Sequence, residues 1–572
     1  MKQLFTFLTL VLTLSVFAQN PLVIPGTIED TNINLTLQNG THQFLTGQVT
    51  ATMGVNGNIL GPTLIINKND NLNINVTNNL GQPTTIHWHG MHISADNDGG
   101  PHTVIDPGTT WNPQFTVINN ASTMWYHPHL DEFTDEHVSK GIAGFIIIKD
   151  DVEAALNLPR TYGVDDIPLA IQTKQFDVNN QIIHHTNHDD IVMVNATIDP
   201  MVDVPAQIVR LRLLNGTTQR VLNIGLSGNQ TFYQIATDGG LKETPLALTR
   251  LQLASGERTE ILVNLNGLQG QTIQLMSYAS EFPNGIYGAT YPGMGQGLSL
   301  DNYPGNALNG SDFNILQLNV VTQTANPVIT VPTDLVSITP YLESNSDQSR
   351  TMTLQSTTGG QQQLNGDFSI NGVSLDMNTI NVTIPLDNTE VWTIQNSSPI
   401  SHPFHIHDIQ FNILEVGGNS TPTYLQGWKD TVLVPSGSSV KVITKFEDFA
   451  DENIPYMYHC HMLTHEDGGM MGQFVVVDTS ANIEDDNLIE GFKLFPNPSN
   501  KIYITAQLLN TNDKILAYAV VNELGQIVSY HKVSKNEISN MYSLPVFEYA
   551  KGTYSLKIYT ENNSFVRKFL IK

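Results

Sequence analysis

Ten of the 18 histidines in this chain of 572 residues lie in four short clusters. These are His87-Trp88-His89, His127-Pro128-His129, His402-Pro403-Phe404-His405-Ile406-His407, and His459-Cys460-His461 with His465 just beyond. Each contains a His-x-His pair. On a strand, residues i and i+2 point to the same face, roughly 7 Å apart along the chain. Both imidazoles of a pair can therefore reach one cavity. Neutral imidazole binds copper, zinc, iron and nickel. Four pairs place eight imidazoles around a shared space, which suits two or three neighbouring ions. A single four-coordinate zinc would leave half of them unused.

Cys460 is the only cysteine, so no intramolecular disulfide can form. It sits between His459 and His461, and strand alternation points it away from both. It should therefore meet a different metal on the other side of the strand. A thiolate with two imidazoles and a weak axial methionine is the blue-copper electron-transfer set. His465 and Met470 follow within ten residues, and His402 precedes His405 by a short turn containing proline. The peptide His459-Cys460-His461 would then join an electron-entry metal to a polynuclear one. The remaining histidines (His42, His92, His102, His137, His184, His185, His188 and His531) read as surface residues or supports for ligands. His184, His185 and His188 have metal-ligand spacing but lie in a polar, loop-like stretch.

The elements that must position these residues are strands. Period-two patterns such as TLIIN at 63–67, IVRLRLL at 208–214 and EVWTI at 390–394 recur between residues 20 and 480, with Gly, Pro and Asn between them. Short strands at regular spacing predict β-sandwiches and an all-β fold. The asparagine-rich run at 71–79 is expected to form polar strand edges and turns. Boundaries near 150–160 and in the Pro/Thr-rich stretch 325–345 give three sandwich-sized segments, 19–152, 153–335 and 336–481. Apolar residues make up 40% and charged residues 14%, an ordinary globular composition. Lys and Arg total 26 against 53 Asp and Glu, a net charge of −27. No basic face is available for a nucleic acid.

Residues 1–18 carry Lys2, an apolar stretch and Val16-Phe17-Ala18, and are expected to be a signal peptide. The apolar stretch is short for a membrane span. The expectation is an exported, soluble mature protein. A polar acidic linker at 482–490 precedes a small all-β module at 491–572. This module resembles the C-terminal sorting domain of the type IX secretion system, through Phe495-Pro496-Asn497-Pro498-Ser499 and Gly552-Thr553-Tyr554-Ser555-Leu556-Lys557-Ile558. The resemblance implies passage across the outer membrane by that machinery, then release or attachment at the cell surface.

From about residue 40 to 478 the chain resembles the multicopper oxidases: laccases, bilirubin oxidases and bacterial periplasmic copper oxidases. All four histidine motifs carry the likeness. So do Asp98-Gly99-Gly100-Pro101, the stretch GVDDIPL at 163–169, Arg212-Leu213-Leu214-Asn215-Gly216, Asp238-Gly239-Gly240 and Gly427-Trp428-Lys429-Asp430-Thr431. The resemblance implies three cupredoxin-like Greek-key sandwiches, with a trinuclear copper site between the first and third. It implies four copper ions. The type 1 ion falls to His402, Cys460, His465 and axial Met470, with Met471 the neighbouring alternative. The type 2 ion falls to His87 and His405. One type 3 ion takes His89, His127 and His461, and the other takes His129, His407 and His459. Asp98 matches the family acid near the cluster, and Glu466 matches the family proton donor. A carboxylate there can relay protons or orient ligand histidines. Both readings stand for Asp98, and proton supply is expected of Glu466.

The implied reaction couples one-electron oxidation of a reductant to reduction of O₂ to water. The reductant is expected to be a phenol or aromatic amine, as in laccases. Alternatives are a cuprous or ferrous metal oxidase and a bilirubin oxidase-like enzyme. Enterobacterial copper oxidases carry a methionine-rich insertion, whereas the matching region 356–364 reads STTGGQQQL, with no methionine. Asp430 and the acidic surface keep metal oxidation open. The stretch YGATYPGMGQG at 287–297 is expected to be a surface loop rather than a pocket cover. A copper-sequestering protein could use Cys, His and Met without turnover, but would not need four histidine pairs. A copper nitrite reductase shares cupredoxin domains but lacks the paired type 3 ions. A monomer is expected.

Overall fold

The computed structural model describes residues 19–478 except 296 and 297, and residues 491–572 except 500, 501, 510–512, 523, 524, 536, 537, 548, 561 and 562. The expected signal peptide at 1–18 and linker at 482–490 lie outside the described residues. The chain divides into two compact units, one through Val477 and the other from Asp478.

Alternation builds the sheets of the first unit. In Asn71–Asn79, Leu72, Ile74 and Val76 turn inward while the intervening asparagines face out. The run expected as strand edges and turns is therefore one continuous strand. Its outer face is laddered to a parallel neighbour by Asn75 Nδ2 donating to Asn34 Oδ1 at 2.8 Å. In Ile208–Asn215, Val209, Leu211 and Leu213 enter an apolar core. Arg210 and Arg212 take the opposite face, buried yet paired: Arg210 with Glu153 and Glu260 at 2.7 and 2.5 Å, and Arg212 with Asp166 at 2.7 Å. Buried charges persist only with such partners.

Six sheets combine as three sandwiches. The first packs the sheet of Thr27–Ile28, Thr63–Asn67, Gly144–Lys149, Ser122–His127 and His87–His89 on the sheet of Thr50–Val55, Asn32–His42, Asn71–Asn79 and Thr110–Trp111. The second is built from strands between Asp166 and Val321, with Asn20–Pro21 added beside Pro200–Pro205. The third packs the sheet around Thr389–Asn396 on the sheet of Val382–Pro385, Met471–Val477, Asp451–Cys460, His402–Ile406 and Thr431–Val434. Only the first and third sandwiches contain the histidine strands. The second unit holds a three-stranded and a four-stranded sheet around Ile504, Val520, Leu544, Leu556, Ile558 and Phe569. Among the described residues no helix is long and apolar enough to cross a membrane.

A charged latch joins the first sandwich to the third. His92 Nδ1 lies 2.7 Å from Asp408 Oδ1, and its Nε2 lies 3.1 Å from Asp448 Oδ2. Both nitrogens face carboxylates, so the ring is an imidazolium. Burial opposes that charge, but Asp408 and Asp448 raise its pKa to about 9. The folded pKa exceeds the unfolded one, so the latch stabilises fully below about pH 6.5 and fades as pH rises through about 9. His92→Ala should cost roughly 2 kcal/mol at pH 6, allowing for screening of the exposed Asp448. The loss in melting temperature should shrink by pH 10. An equal loss at both pH values would contradict the latch.

Candidate metal centre

Two strand pairs carry the histidines to one place. His87–His89 runs antiparallel to Ser122–His127, with His127 opposite His87 and Trp125 opposite His89. Trp88, between the two histidines, turns into the first apolar core. His402–Ile406 runs antiparallel to Asp451–Cys460, with His405 opposite His459 and Phe404 opposite Cys460. Cys460 turns into the third core, away from its flanking histidines, as alternation predicts.

The imidazoles interleave across the two sandwiches. The ring of His87 stacks on His407 with centroids 3.9 Å apart, and that of His89 on His405 at 3.8 Å. All eight are buried. Most are anchored through Nδ1. His87 donates to the carbonyl of Asp98 at 3.0 Å, His127 to Pro128 at 2.8 Å, His405 to Asp430 at 2.8 Å and His459 to Cys460 at 3.0 Å. His407 Nδ1 donates to Asp98 Oδ2 at 2.8 Å. An acceptor at Nδ1 leaves the lone pair on Nε2. The Nε2 atoms of His129, His407 and His459 then converge to between 3.1 and 3.3 Å of one another. His87 Nε2, His405 Nε2 and both nitrogens of His461 are buried without a hydrogen-bond partner. Converging lone pairs and orphaned nitrogens are the donor set of a metal cluster, and the residues fit copper ions on chemical grounds.

The ligand atoms fall into overlapping groups, one of them His89, His405 and Asp430. Ligand atoms of His129, His407 and His459 lie within 4.8 Å of one another, as do those of His87, His405 and His407. His89 and His127 group with His87. The ring of His461 lies beside them, 5.0 Å from His89 and 5.5 Å from His127 between centroids. Burial lowers the pKa values of His89, His127, His129, His402, His405 and His461 well below the ordinary histidine value. His407 falls to about 4 and His465 to about 3, again through burial. These rings stand neutral at pH 7, the form that binds a metal.

Three carboxylates touch the cluster: Asp98, Glu466 and Asp430, the last with Oδ1 3.1 Å from His89 Nε2. Asp98 joins His407 and lies 3.4 Å from His87 Nδ1. Burial would raise its pKa, but those histidines hold it well below the usual carboxylate range. Glu466 Oε1 lies 3.5 Å from His129 Nδ1, and its Oε2 lies 3.2 Å from His459 Nδ1. Burial is again outweighed, by His129 and His459, and the pKa falls to about 2.

On the other side of the peptide, His402 Nδ1 and His465 Nδ1 stand 3.5 and 3.7 Å from Cys460 Sγ and 3.2 Å from each other. Ser398 Oγ holds His402 Nε2 at 2.7 Å, and Phe368 packs against both rings at 4.8 and 4.4 Å. Met470 and Met471 are both buried, and the Cys460 amide donates to the carbonyl of Met470 at 3.1 Å. Burial pushes the Cys460 thiol far above the ordinary cysteine value. His465 is the partly exposed member of this set.

Asp430, named as keeping metal oxidation open, is fully buried, with Arg258 Nη1 and Nη2 donating to Oδ1 and Oδ2 at 2.7 and 2.5 Å. One expectation is corrected. The stretch 287–297 is not a loose surface loop over its first half. Tyr287 and Ala289 are buried, Met294 N donates to Pro399 O at 2.9 Å, and Met294 itself is exposed. Sequence reasoning missed Ser398, Phe368 and Arg258. His185 is exposed and bonded to Asp467, as expected of a surface residue, at 2.8 Å.

A three-sandwich chain with a buried cysteine–imidazole set beside a histidine cluster has the donor groups of a metal-dependent redox protein. Residues 36–153 and 345–480 match models of the multicopper oxidase family, and residues 493–572 match a secretion system C-terminal sorting domain. Multicopper oxidase mco of Staphylococcus haemolyticus is 33% identical over 457 residues, covering 78% of this chain and 89% of its own. Cell division protein FtsP of Photorhabdus laumondii is 30% identical over 475 residues, covering 80% and 93%. The structure of the laccase-like multicopper oxidase CueO from Ochrobactrum sp. superposes with a TM-score of 0.70 at 31% identity, covering 80% of this chain and all of that one. The chain belongs to the multicopper oxidase family. It is an oxidoreductase whose family uses copper, oxygen and a reductant.

The protonation states predict how copper enters. Thiolate ligation requires Cys460 to lose a proton, whereas the neutral imidazoles lose none. Copper loading near pH 7 should release about one proton more from the wild type than from Cys460→Ser. Calorimetry in buffers of different ionisation enthalpy measures this. Equal release from the two proteins would show that Cys460 is not a ligand.

Proposed function

We propose that this protein is a laccase-like multicopper oxidase exported to the cell surface or medium. His402, Cys460, His465 and axial Met470 hold the type 1 ion. His87 and His405 hold the type 2 ion. His89, His127 and His461 hold one type 3 ion, and His129, His407 and His459 the other. The carrying observation is the convergence of unsatisfied histidine nitrogens on one side of His459-Cys460-His461 and of Cys460, His402 and His465 on the other.

Copper, when bound, supplies one-electron transfer at the Cys460 set and four-electron reduction of O₂ to water at the histidine cluster. The chain supplies the rest. The partly exposed His465 is the contact point for a reductant. The peptide through His459 and His461 links the two sets covalently. Carbonyl anchors on Nδ1 hold His87, His127, His405 and His459 with Nε2 aimed inward. Glu466, in contact with His129 and His459, delivers protons to the cluster, while Asp98 braces His407 and His87. The cupredoxin domains are assigned to 19–152, 153–335 and 336–481, and the module at 491–572 carries the protein through the type IX system. The methionine-free stretch 356–364 and the burial of Asp430 favour a phenol or aromatic amine over a metal ion.

Copper-loaded wild type should be intensely blue and consume O₂ with a simple phenol. Cys460→Ser should lose both properties. Glu466→Gln should stay blue and turn over roughly 10²-fold more slowly. A colourless wild type at full copper occupancy would refute the assignment of Cys460. Competition among a phenol, Cu(I) and Fe(II) ranks the reductants, and a preference for either ion would overturn the laccase-like reading.

A further inference from the structure

We infer that Arg258 is a positioning residue: it belongs to the sandwich that supplies no proposed copper ligand, and it fixes which nitrogen His89 presents to the cluster. The inference rests on the proposal that His89 binds copper.

Arg258 opens the strand Arg258–Asn264 of the second sandwich. Its guanidinium is wholly buried and meets Asp430 fork to fork, at 2.7 and 2.5 Å. Nη1 also donates to Gly256 O at 3.1 Å, and Nε to Thr123 O at 3.2 Å. A bidentate arginine pair fixes the plane of a carboxylate as well as its charge. So held, Asp430 Oδ1 lies 3.1 Å from His89 Nε2. An ionised carboxylate only accepts, so His89 carries its proton on Nε2 and its lone pair on Nδ1. Nδ1 is the atom that faces His127 Nε2, at 3.3 Å. His89 is thus inverted relative to His87, His127, His405, His407 and His459, each of which donates through Nδ1.

Bare backbone lines this contact on both sides. Gly90, directly after His89, has φ +91°, and a Cβ there would lie 2.7 Å from Arg258 Nη2 and 2.8 Å from Asp430 Oδ2. Gly256, two residues before Arg258, has φ +85°, and a Cβ there would lie 2.8 Å from the His461 ring. The second sandwich therefore presses bare backbone against one histidine and holds another through Arg258 and Asp430. Without the guanidinium fork, Asp430 can turn and His89 can take the other tautomer. That tautomer aims an N–H, not a lone pair, at the cluster.

The test compares Arg258→Met and Arg258→Lys with Arg210→Met. Arg210 is equally buried and pairs with Glu153 and Glu260 rather than with a carboxylate at the cluster. In copper-free protein labelled with ¹⁵N-histidine, His89, assigned by the signal missing in His89→Gln, should be protonated on Nε2 in the wild type. It should lose that preference in Arg258→Met. Copper affinity beyond the blue type 1 ion, measured against a chelator, should fall roughly 10–100-fold in Arg258→Met while the blue band persists. Arg258→Lys keeps the charge without the fork and should fall between; it serves if the methionine variant does not fold. Arg210→Met should lower the melting temperature and leave tautomer and affinity unchanged. Wild-type tautomer and affinity in the Arg258 variants would overturn the inference, as would an equal loss in Arg210→Met. A wild type that binds only type 1 copper would refute the ligand assignment itself, whereas normal wild-type loading with unaltered variants would refute Arg258 alone.

Discussion

Everything in the first unit answers to one constraint: neutral imidazoles must face one another in a space closed to water. Neutral rings do not repel as charges, but each nitrogen lacking a partner there costs about 1–3 kcal/mol. His87 Nε2, His405 Nε2 and both nitrogens of His461 are in that state. Part of that cost is offset because four of the eight rings bond Nδ1 to a carbonyl of the same strands and turns. His127 bonds to its own neighbour Pro128, and His459 to its own neighbour Cys460. The rings are aimed before any metal arrives, and a metal recovers the cost of the orphaned atoms.

The apolar cores cannot place one sandwich against another with that accuracy. Hydrophobic contact is non-directional, whereas an arginine–carboxylate fork has one plane and one spacing. Buried charges therefore gather where sandwiches meet. Arg212 bonds to Thr123 of the first sandwich and to Glu260 of the second, and Lys429 of the third bridges Asp238 and Glu257 of the second. Such pairs are weak evidence of stability, because desolvation offsets their attraction. What they provide is registration.

The legible part of the site was the part with local spacing. His-x-His pairs, and Cys460 inside one of them, declare their faces through a period of two; His87 and His89 share a strand, whereas His129, His407 and His461 lie just past the ends of theirs, with their rings still beside the others. The strand runs at 63–67, 208–214 and 390–394 were legible for the same reason. The asparagines of 71–79 mask a strand whose signal is the alternation of Leu72, Ile74 and Val76. The burial of Asp430 has no local signal, because a charged residue is surface-exposed by default. Its partner Arg258 lies 172 residues away, and no local pattern announces that pair. The one available signal was Arg258-Thr259-Glu260, two charges on one face of a strand whose continuation, Ile261-Leu262-Val263, is apolar. Charge inside an apolar strand asks for a buried partner.

Strand alternation also settles how two chemically distinct sites stay separate while sharing a peptide. Cys460 and its two neighbours occupy consecutive positions, so they cannot face the same space. The sulfur belongs to the core of one sandwich, with Phe404 opposite and Phe368 behind its histidines. His459 and His461 belong to the space between sandwiches. A helix would have spread three consecutive residues around its circumference, and a loop would have left them mobile. Strand alternation puts His459 and Cys460 on opposed faces one residue apart, and His461, just past the strand end, returns to the side of His459 with ring centroids 5.6 Å apart. The histidine spacing and the all-β architecture express one requirement.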